Sequence, residues 1–492
     1  MTPTSVAPRS AGAITFSLVG FLFLVELTSG ILQGYYVPLI SDIVVHLGIQ
    51  DADFNWFEAA QLLLSSIAVP VLAKLGDMFG HKKMLLLSTA LTAGATWWLA
   101  FTGDFTSFLI AWALQGFYVV WLPLEVALIF DRGRRTSTGA SQTRRAAGLL
   151  VVALEAGAII GALAAGQIFG ALGGDVTLTL MLPAVAVTLV FFAILFGVPE
   201  SQPLPDRRLD AVGFALLGFA LLLITSGLTF LRLNGPGTWW IWLPIVGGLA
   251  VLAAFGAWEL RQKDPAIDLR MVRQPTMWPV LVTAGLFGIS VLGAQAPLST
   301  YAGTDPVVVG YGLGLSSGLR SILIGGYLVS MIVGALLFPL LSRRTTPRSA
   351  LIVAAFLVAI GFLMFLPFHL ETQQVVINMV IVGLGSGALV AALPAAAAAA
   401  APRGRTGVAA ALTNTTKTIG GSFASAVFGV VLVGGLVSSV GGVTTTAASL
   451  SGYLVVWGVC GGGALVAGVL LYFVPKLAFA DVEAEPAVEP VE

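Results

Sequence analysis

Residues Leu72–Met84 read LAKLGDMFGHKKM, a short charged break between two apolar runs that are each long enough to cross a bilayer. Asp77 is followed by Phe79-Gly80 and then by the basic cluster His81-Lys82-Lys83. Between two spanning runs, such a break has to lie at a membrane surface. The lysines then select the surface, because short loops rich in Lys and Arg stay in the cytoplasm.

Composition agrees with that reading. Of 492 residues, 57% are hydrophobic and 10% charged, against about 25% charged in an ordinary soluble domain. The chain is therefore an all-α polytopic membrane protein, since only helices can satisfy the backbone within each of these apolar segments. The net charge of zero gives no field to attract nucleic acid. The single cysteine, Cys460, can form no intramolecular disulfide, and Met1–Ala13 carries no cleavable signal pattern.

Runs of about 20 residues, enough for roughly 30 Å of hydrocarbon, occur at approximately 14–40, 54–75, 83–102, 106–130, 146–170, 176–197, 211–231, 238–259, 276–298, 318–341, 349–368, 373–398, 406–434 and 451–474. With both termini cytoplasmic, the inside loops collect Lys82, Lys83, Arg132, Arg145, Arg207, Arg208, Arg270, Arg343, Arg344, Arg403 and Arg405. The outside loops hold Arg232 and otherwise acids such as Asp42, Asp51, Asp104, Asp175, Asp305 and Glu371, with Arg320 at a span edge. An even number of crossings gives this asymmetry; one miscounted span would reverse it for every later loop.

The opening stretch resembles the loop between the second and third spans of the major facilitator superfamily, G-x-L-x-D-r-x-G-r-[RK]. Asp77, Gly80, Lys82 and Lys83 fit, while Ala73 replaces the first glycine and Met78 the arginine. The pair of runs at 211–259, entered through Arg207-Arg208-Leu209-Asp210 and left through Trp258-Glu259-Leu260-Arg261, is similar to that of the fourteen-span drug:proton antiporter branch, including actinobacterial-type multidrug exporters. That resemblance implies a cytoplasmic segment at 1–13, a six-helix bundle at 14–200, two linker helices at 201–273, a second bundle at 274–476 and a disordered acidic tail at 477–492. Sliding span 5 onto span 13 places Arg145 over Arg405 and Gly161 over Gly421, which fits a duplicated unit with its binding site near midplane between the halves. Asp77, Gly80, Lys82 and Lys83 are read as a gating motif, since a carboxylate at a helix end can accept from the N-terminus of a neighbouring helix or pair with an arginine; a plain topology anchor is the alternative.

Ionisable groups inside the spans carry the chemistry, because a charge at mid-bilayer costs about 2.5–3.5 kcal/mol on insertion scales and needs a partner, a proton or a wet cavity. Glu26 stands about 12 residues into span 1, roughly 18 Å deep, with Gln33 seven residues on. Leu24-Val25-Glu26-Leu27-Thr28 is similar to the family's l-D-x-T pattern, which implies proton coupling at Glu26. Glu155, the second proton-coupling candidate, lies mid-depth in span 5, before a glycine-rich segment similar to the antiporter signature, with Ala162 and Ala165 in place of its proline and one glycine. Lys417 of span 13 comes at nearly the same depth, with Asn414 one turn earlier, and both are substrate-cavity candidates, as is Gln33. In span 4, Tyr118 and Trp121 share helical spacing with Glu125, a combination of rings and acid that can hold an amphiphilic cation. Each has a bland alternative: a permanently protonated acid, packed rings, a capping amine. Glu58 reads as an interfacial charge near the outer end of span 2. Trp112 stands where the family carries an arginine in R-x-x-Q-G, ahead of Gln115-Gly116, which puts the usual coupling route in question.

No phosphate-cradling loop and no metal-spaced His/Cys cluster is present, and the histidines are His46, His81 and His369. The expectation is a secondary transporter without a cofactor, not an enzyme. It is read as a monomer in the plasma membrane among membrane lipids, exporting a hydrophobic or amphiphilic small molecule in exchange for protons. The alternatives are a lipid or glycolipid exporter uncoupled from the usual proton route and a non-transporting scaffold or sensor.

Overall fold

The computed structural model describes residues 16–133, 139–201, 209–235, 237–263, 265–400, 406–433, 439–440, 443–444 and 446–473. The N-terminal segment, the acidic tail, Arg134, Arg135, Arg207, Arg208, Arg403 and Arg405 lie outside those residues.

Fourteen helical segments among them are long and apolar enough to cross a membrane. The first span is α1 (Phe16–Tyr35) continued by α2 (Ile40–Leu47) through a 3₁₀ turn at Val37–Leu39. Pro38 stands at the start of that turn and leaves the backbone without one donor. Next come α3 (Phe54–Phe79) and α4 (His81–Phe101). The fourth span is split into α5 (Phe105–Gln115) and α6 (Trp121–Gly133) by a 3₁₀ stretch at Gly116–Val120. Then follow α7 (Gly139–Ala171), α8 (Val176–Gly197), the linker pair α9 (Ala211–Asn234) and α10 (Trp242–Glu259), and the short α11 (Leu269–Val272). The ninth span is broken into α12 (Trp278–Val291) and α13 (Gln295–Gly303), after which α14 (Pro306–Val309) leads to α15 (Ser317–Arg344), α16 (Pro347–Met364), α17 (Thr372–Ala400), α18 (Thr406–Val433) and α19 (Leu450–Phe473). One addition to the all-helical expectation is a two-residue antiparallel ladder, β1 (Ser439–Val440) with β2 (Val443–Thr444).

Several acids expected merely to mark loops start helices instead. Asp104 accepts from Ser107 N at 2.9 Å, Asp175 from Leu178 N at 2.9 Å and Asp210 from Gly213 N at 2.8 Å. Each satisfies a first-turn donor that the helix cannot bond internally.

The buried apolar residues fall mainly into two cores. One runs from Leu18 to Val198 with Ala296 added, the other from Met271 to Leu471 with Ala52 added. The linker pair is outside both and is tied to α3 through Leu63, Leu217, Leu221 and Phe255. In each bundle the fifth helix lies on the first, α7 on α1 and α18 on α12. Glycine makes that approach possible: a Cβ on Gly34 would overlap Ala158 O, and one on Gly288 would overlap Lys417 O. Gly161 and Gly421 occupy this same kind of contact, against Ile31 and Leu292. The bundles meet through α3 on α18 and α7 on α15, second helix on fifth and fifth on second, a pseudo-two-fold arrangement.

Candidate functional site

A small cavity of about 70 Å³ opens between the bundles. Its polar lining is Gln33, Tyr36, Glu58, Gln61 and Tyr118 from the first bundle and Gln295 from the second, with Trp112 and several aliphatic side chains completing it. The broken helices build this lining. The 3₁₀ stretch before α6 presents Tyr118, the turn between α12 and α13 presents Leu292 and Gln295, and the end of α1 presents Leu32, Gln33 and Tyr36.

A hydrogen-bonded chain backs the cavity. Gln115 Nε2 donates to Tyr36 OH at 2.8 Å and to Thr96 Oγ1 at 3.2 Å, and its Oε1 accepts from Gln61 Nε2 at 3.3 Å. Buried amides and hydroxyls fixed in this way hold their orientation, since an unmade bond there is expensive. Trp112 packs beside them, edge-on to Tyr36 at 5.1 Å and to Phe54 at 5.1 Å and stacked on Phe108 at 5.6 Å. The position where the resembled family has an arginine is thus an aromatic wall.

The candidate acids separate into three settings. Glu26 and Glu125 are both 0% exposed, and none of their four carboxyl oxygens has a hydrogen-bond partner. They come from α1 and α6 and lie within electrostatic reach of each other. Neither lines the cavity, nor does Glu155. Glu155 is half-buried on α7, and the charge it feels is that of Lys417 on α18, from the other bundle. Asn414 is half-buried on α18; neither it nor Lys417 lines the cavity.

Glu58 requires a correction. It is 7% exposed rather than interfacial, lines the cavity, and leaves Oε2 without a partner. The Ala296 backbone and Ser425, both of the second bundle, face its carboxyl. Hydropathy along the chain gave no sign of this, because the two groups facing its carboxyl, Ala296 and Ser425, stand more than two hundred residues away in the sequence.

Gln33 and Tyr118 line the cavity, while Trp121 is fully buried away from it, edge-on to Tyr118 at 6.3 Å. The 3₁₀ stretch ends between these two rings, so Tyr118, Trp121 and Glu125 do not form the continuous helical face that their spacing predicts.

At the turn between α3 and α4, Asp77 faces His81 Nε2 at 3.3 Å. The N-terminus of α4 is capped by residues from the end of α8: His81 N donates to Ser201 Oγ at 2.8 Å and Lys82 N to Glu200 Oε1 at 2.9 Å. Gly80 adopts φ +109°, and a Cβ there would stand 2.5 Å from Glu200 Oε1. Lys82 Nζ donates to Leu195 O at 2.8 Å, and Lys83 is exposed.

At the opposite end of the spans, the bundles are bonded to each other. Arg320 Nη2 meets Asp42 Oδ2 at 2.5 Å, Ser299 Oγ donates to Val37 O at 2.5 Å, Gly166 N to Ser321 Oγ at 2.8 Å and Tyr453 OH to Asp51 Oδ2 at 3.4 Å. Asp42, Asp51 and Arg320, read from the sequence as loop or edge charges, are therefore partners across the interface.

Residues 22–425 match the family model described as Major Facilitator Superfamily. Similar curated proteins include the tetracenomycin C resistance and export protein of Streptomyces glaucescens, 24% identical over 392 residues, covering 77% of this chain and 71% of that one. A triacylglyceride transporter of Mycolicibacterium smegmatis is 26% identical over 416 residues, covering 80% and 71%. Among solved structures, a peptide transporter in complex with sulfate superposes with a TM-score of 0.67 at 17% identity, covering 94% of each chain.

Proposed function

This chain belongs to the Major Facilitator Superfamily, and from that premise we propose that it exports amphiphilic small molecules in exchange for protons by alternating access. Relatives named for antibiotic export support the direction of transport and the substrate class. Proton coupling rests on a single observation: two fully buried glutamates, Glu26 of the first span and Glu125 of the fourth, two spans that touch, with four unpartnered oxygens. Groups of that kind, held away from water and from any counter-ion, are carried by a proton, and moving between water-facing and sealed states loads and unloads it.

The basic loops set the orientation, with both termini in the cytoplasm of a cell whose plasma membrane the protein spans. The end closed by Asp42, Arg320, Ser299 and Tyr453 is then the outer one. Outward opening has to break those bonds while the paired helices α3–α18 and α7–α15 rock against each other. Gln33, Tyr118 and the cavity between the bundles hold the substrate, while Lys417 of α18 and Glu155 of α7, within electrostatic reach of each other, tie the bundles together away from it. Asp77, Gly80 and Lys82 fix the inner end of α3 against α4 and the segment after α8, with Lys83 exposed beside them. The protein acts as a monomer.

The test uses proteoliposomes carrying a pH gradient. Adding an exported drug releases protons from the wild type, and Glu26→Gln and Glu125→Gln abolish the release; release unchanged in both variants sinks the coupling role. A second reading, lipid export without this coupling, is favoured by the relatives named as triacylglyceride transporters and by Trp112 at the arginine's place. It predicts lipid movement with no proton flux.

A further inference from the structure

The third helix of each bundle lies on the sixth, α4 on α8 and α16 on α19. In the first bundle the chain leaving α8 supplies a carboxylate to the start of α4: Glu200 accepts from Lys82 N, and Ser201 accepts from His81 N. The second bundle repeats this layout with the charge reversed. Arg348, in the first turn of α16, donates from Nε to Leu471 O at 3.1 Å and holds its guanidinium 5.3 Å from the centre of the Tyr472 ring, both at the end of α19. Val198-Pro199-Glu200 after α8 has its counterpart in Val474-Pro475-Lys476 after α19, so a lysine stands in register with the capping acid. The start of α16 relies on its own Thr346, whose Oγ1 accepts from Ser349 N at 3.1 Å.

Positive charge therefore gathers at this end of the second bundle. Arg343 and Arg344 are exposed in the last turn of α15, and Arg348 is half-buried just beyond them. Among the described residues, no carboxylate pairs with any of the three. Membrane topology alone asks for basic residues in such a loop. It does not ask for the sequence that follows Lys476, which carries Asp481, Glu483, Glu485, Glu489 and Glu492 and neither lysine nor arginine. Reach is no obstacle. Arg348 already lies against Tyr472, and the eight residues from Phe473 to Asp481 span up to about 26 Å when extended. A segment tethered so close meets the loop at an effective concentration on the order of millimolar.

We propose that the basic loop between α15 and α16 is the docking surface for the acidic segment 481–492 of this same chain. Its carboxylates pair with Arg343, Arg344 and Arg348, and so give the second bundle the anion that Glu200 gives the first. Anionic lipid headgroups share the chemistry of these carboxylates and are the rival occupant. The tail is favoured because its acids are joined to the helix end that Arg348 already contacts, whereas a headgroup has to be recruited. The inference stands independently of the transported substrate and of proton coupling.

The experiment places a nitroxide at Ala484→Cys in the full-length chain; Cys460 is 0% exposed, so the reagent reaches the introduced thiol alone. In phosphatidylglycerol liposomes, where lipid competes for the loop, the label gives an immobile spectrum. About 1 M salt, which shortens the screening length to about 3 Å, removes most of the immobile component. Arg343→Gln/Arg344→Gln does the same, and so does Asp481→Asn/Glu483→Gln/Glu485→Gln from the other side of the contact. Arg261→Gln/Lys263→Gln, in the loop after α10, leaves the spectrum as it was. A mobile label in the parent overturns the proposal, and a label immobile in phosphatidylcholine but mobile in phosphatidylglycerol assigns the loop to lipid instead. An immobile component that survives both salt and the arginine changes also overturns it, as does equal loss in Arg261→Gln/Lys263→Gln. Should the arginine variant fail to fold, the tail variant decides, and an unchanged spectrum there sinks the contact.

Discussion

Arg320 of α15 donates from Nη2 to Asp42 Oδ2 of α2 at 2.5 Å, joining the two bundles although the partners stand 278 residues apart. Arg320 is 3% exposed and its Nε and Nη1 have no hydrogen-bond partner, so the pair has little solvent to replace it. Removing one partner of a buried pair costs about 3–5 kcal/mol. Asp42 is partly exposed, which moves the expectation to the lower end. Arg320→Met and Asp42→Asn should each lower the unfolding temperature in detergent, and Arg320→Met/Asp42→Leu should recover most of the loss. Single variants as stable as the parent would mean the pair holds nothing.

Gly80 combines φ +109° with a Glu200 carboxylate 2.5 Å from where a Cβ would stand. Gly80→Ala should therefore push Glu200 off the Lys82 amide and uncap α4, a cost of about 1–3 kcal/mol. Glu200→Ala should reproduce part of that loss, and combining the two should cost less than their sum. Calorimetry in detergent measures both. Full additivity would show that the two residues act separately.

Gly34 of α1 and Gly326 of α15 make a test and a control for the packing of α1 on α7. A Cβ on Gly34 would overlap Ala158 O, whereas one on Gly326 meets nothing within 4 Å. Gly34→Ala should prevent recovery of monodisperse protein by separating the two helices. Gly326→Ala should be neutral or gain up to about 1 kcal/mol from helix propensity. Equal behaviour of the two would contradict the close approach.

Glu26 and Glu125 should lower stability while serving transport. A buried polar group without a partner costs about 1–3 kcal/mol, more when charged. Glu26→Met and Glu125→Met should raise the unfolding temperature and abolish proton-linked exchange together, the usual opposition between a functional acid and a quiet core. Unfolding at a lower temperature in both variants would assign them a structural role instead.

Much of the fold was legible along the chain because bilayer thickness imposes a length on every span and loop charge imposes a side. The fourteen runs, the linker pair and the gap at Gly80 all follow from such local signals. Helix breaks were less legible. Gln115-Gly116 could be read as a motif, but the 3₁₀ stretch beginning there, which turns Tyr118 toward the cavity and Trp121 away from it, depends on packing against Gln61 and Ser65 of α3. The site was legible only residue by residue. Depth within a span singled out Glu26 and Glu155, yet depth is silent about which neighbours a carboxyl meets. Glu58 was misjudged for that reason, its distance from the centre of its own span saying nothing of α13 or α18.

The sequence alone determined that this protein crosses a membrane fourteen times, which loops share an end, and which spans carry acids, since hydrophobic length and charge are properties of short segments. Tertiary structure decided which of those charges meet. Glu26 finds Glu125, Asp42 finds Arg320, and Glu58 reaches the start of α13 because helices pack by shape across hundreds of residues. Whether a buried charge is paired, protonated or open to a ligand is set by those distant neighbours.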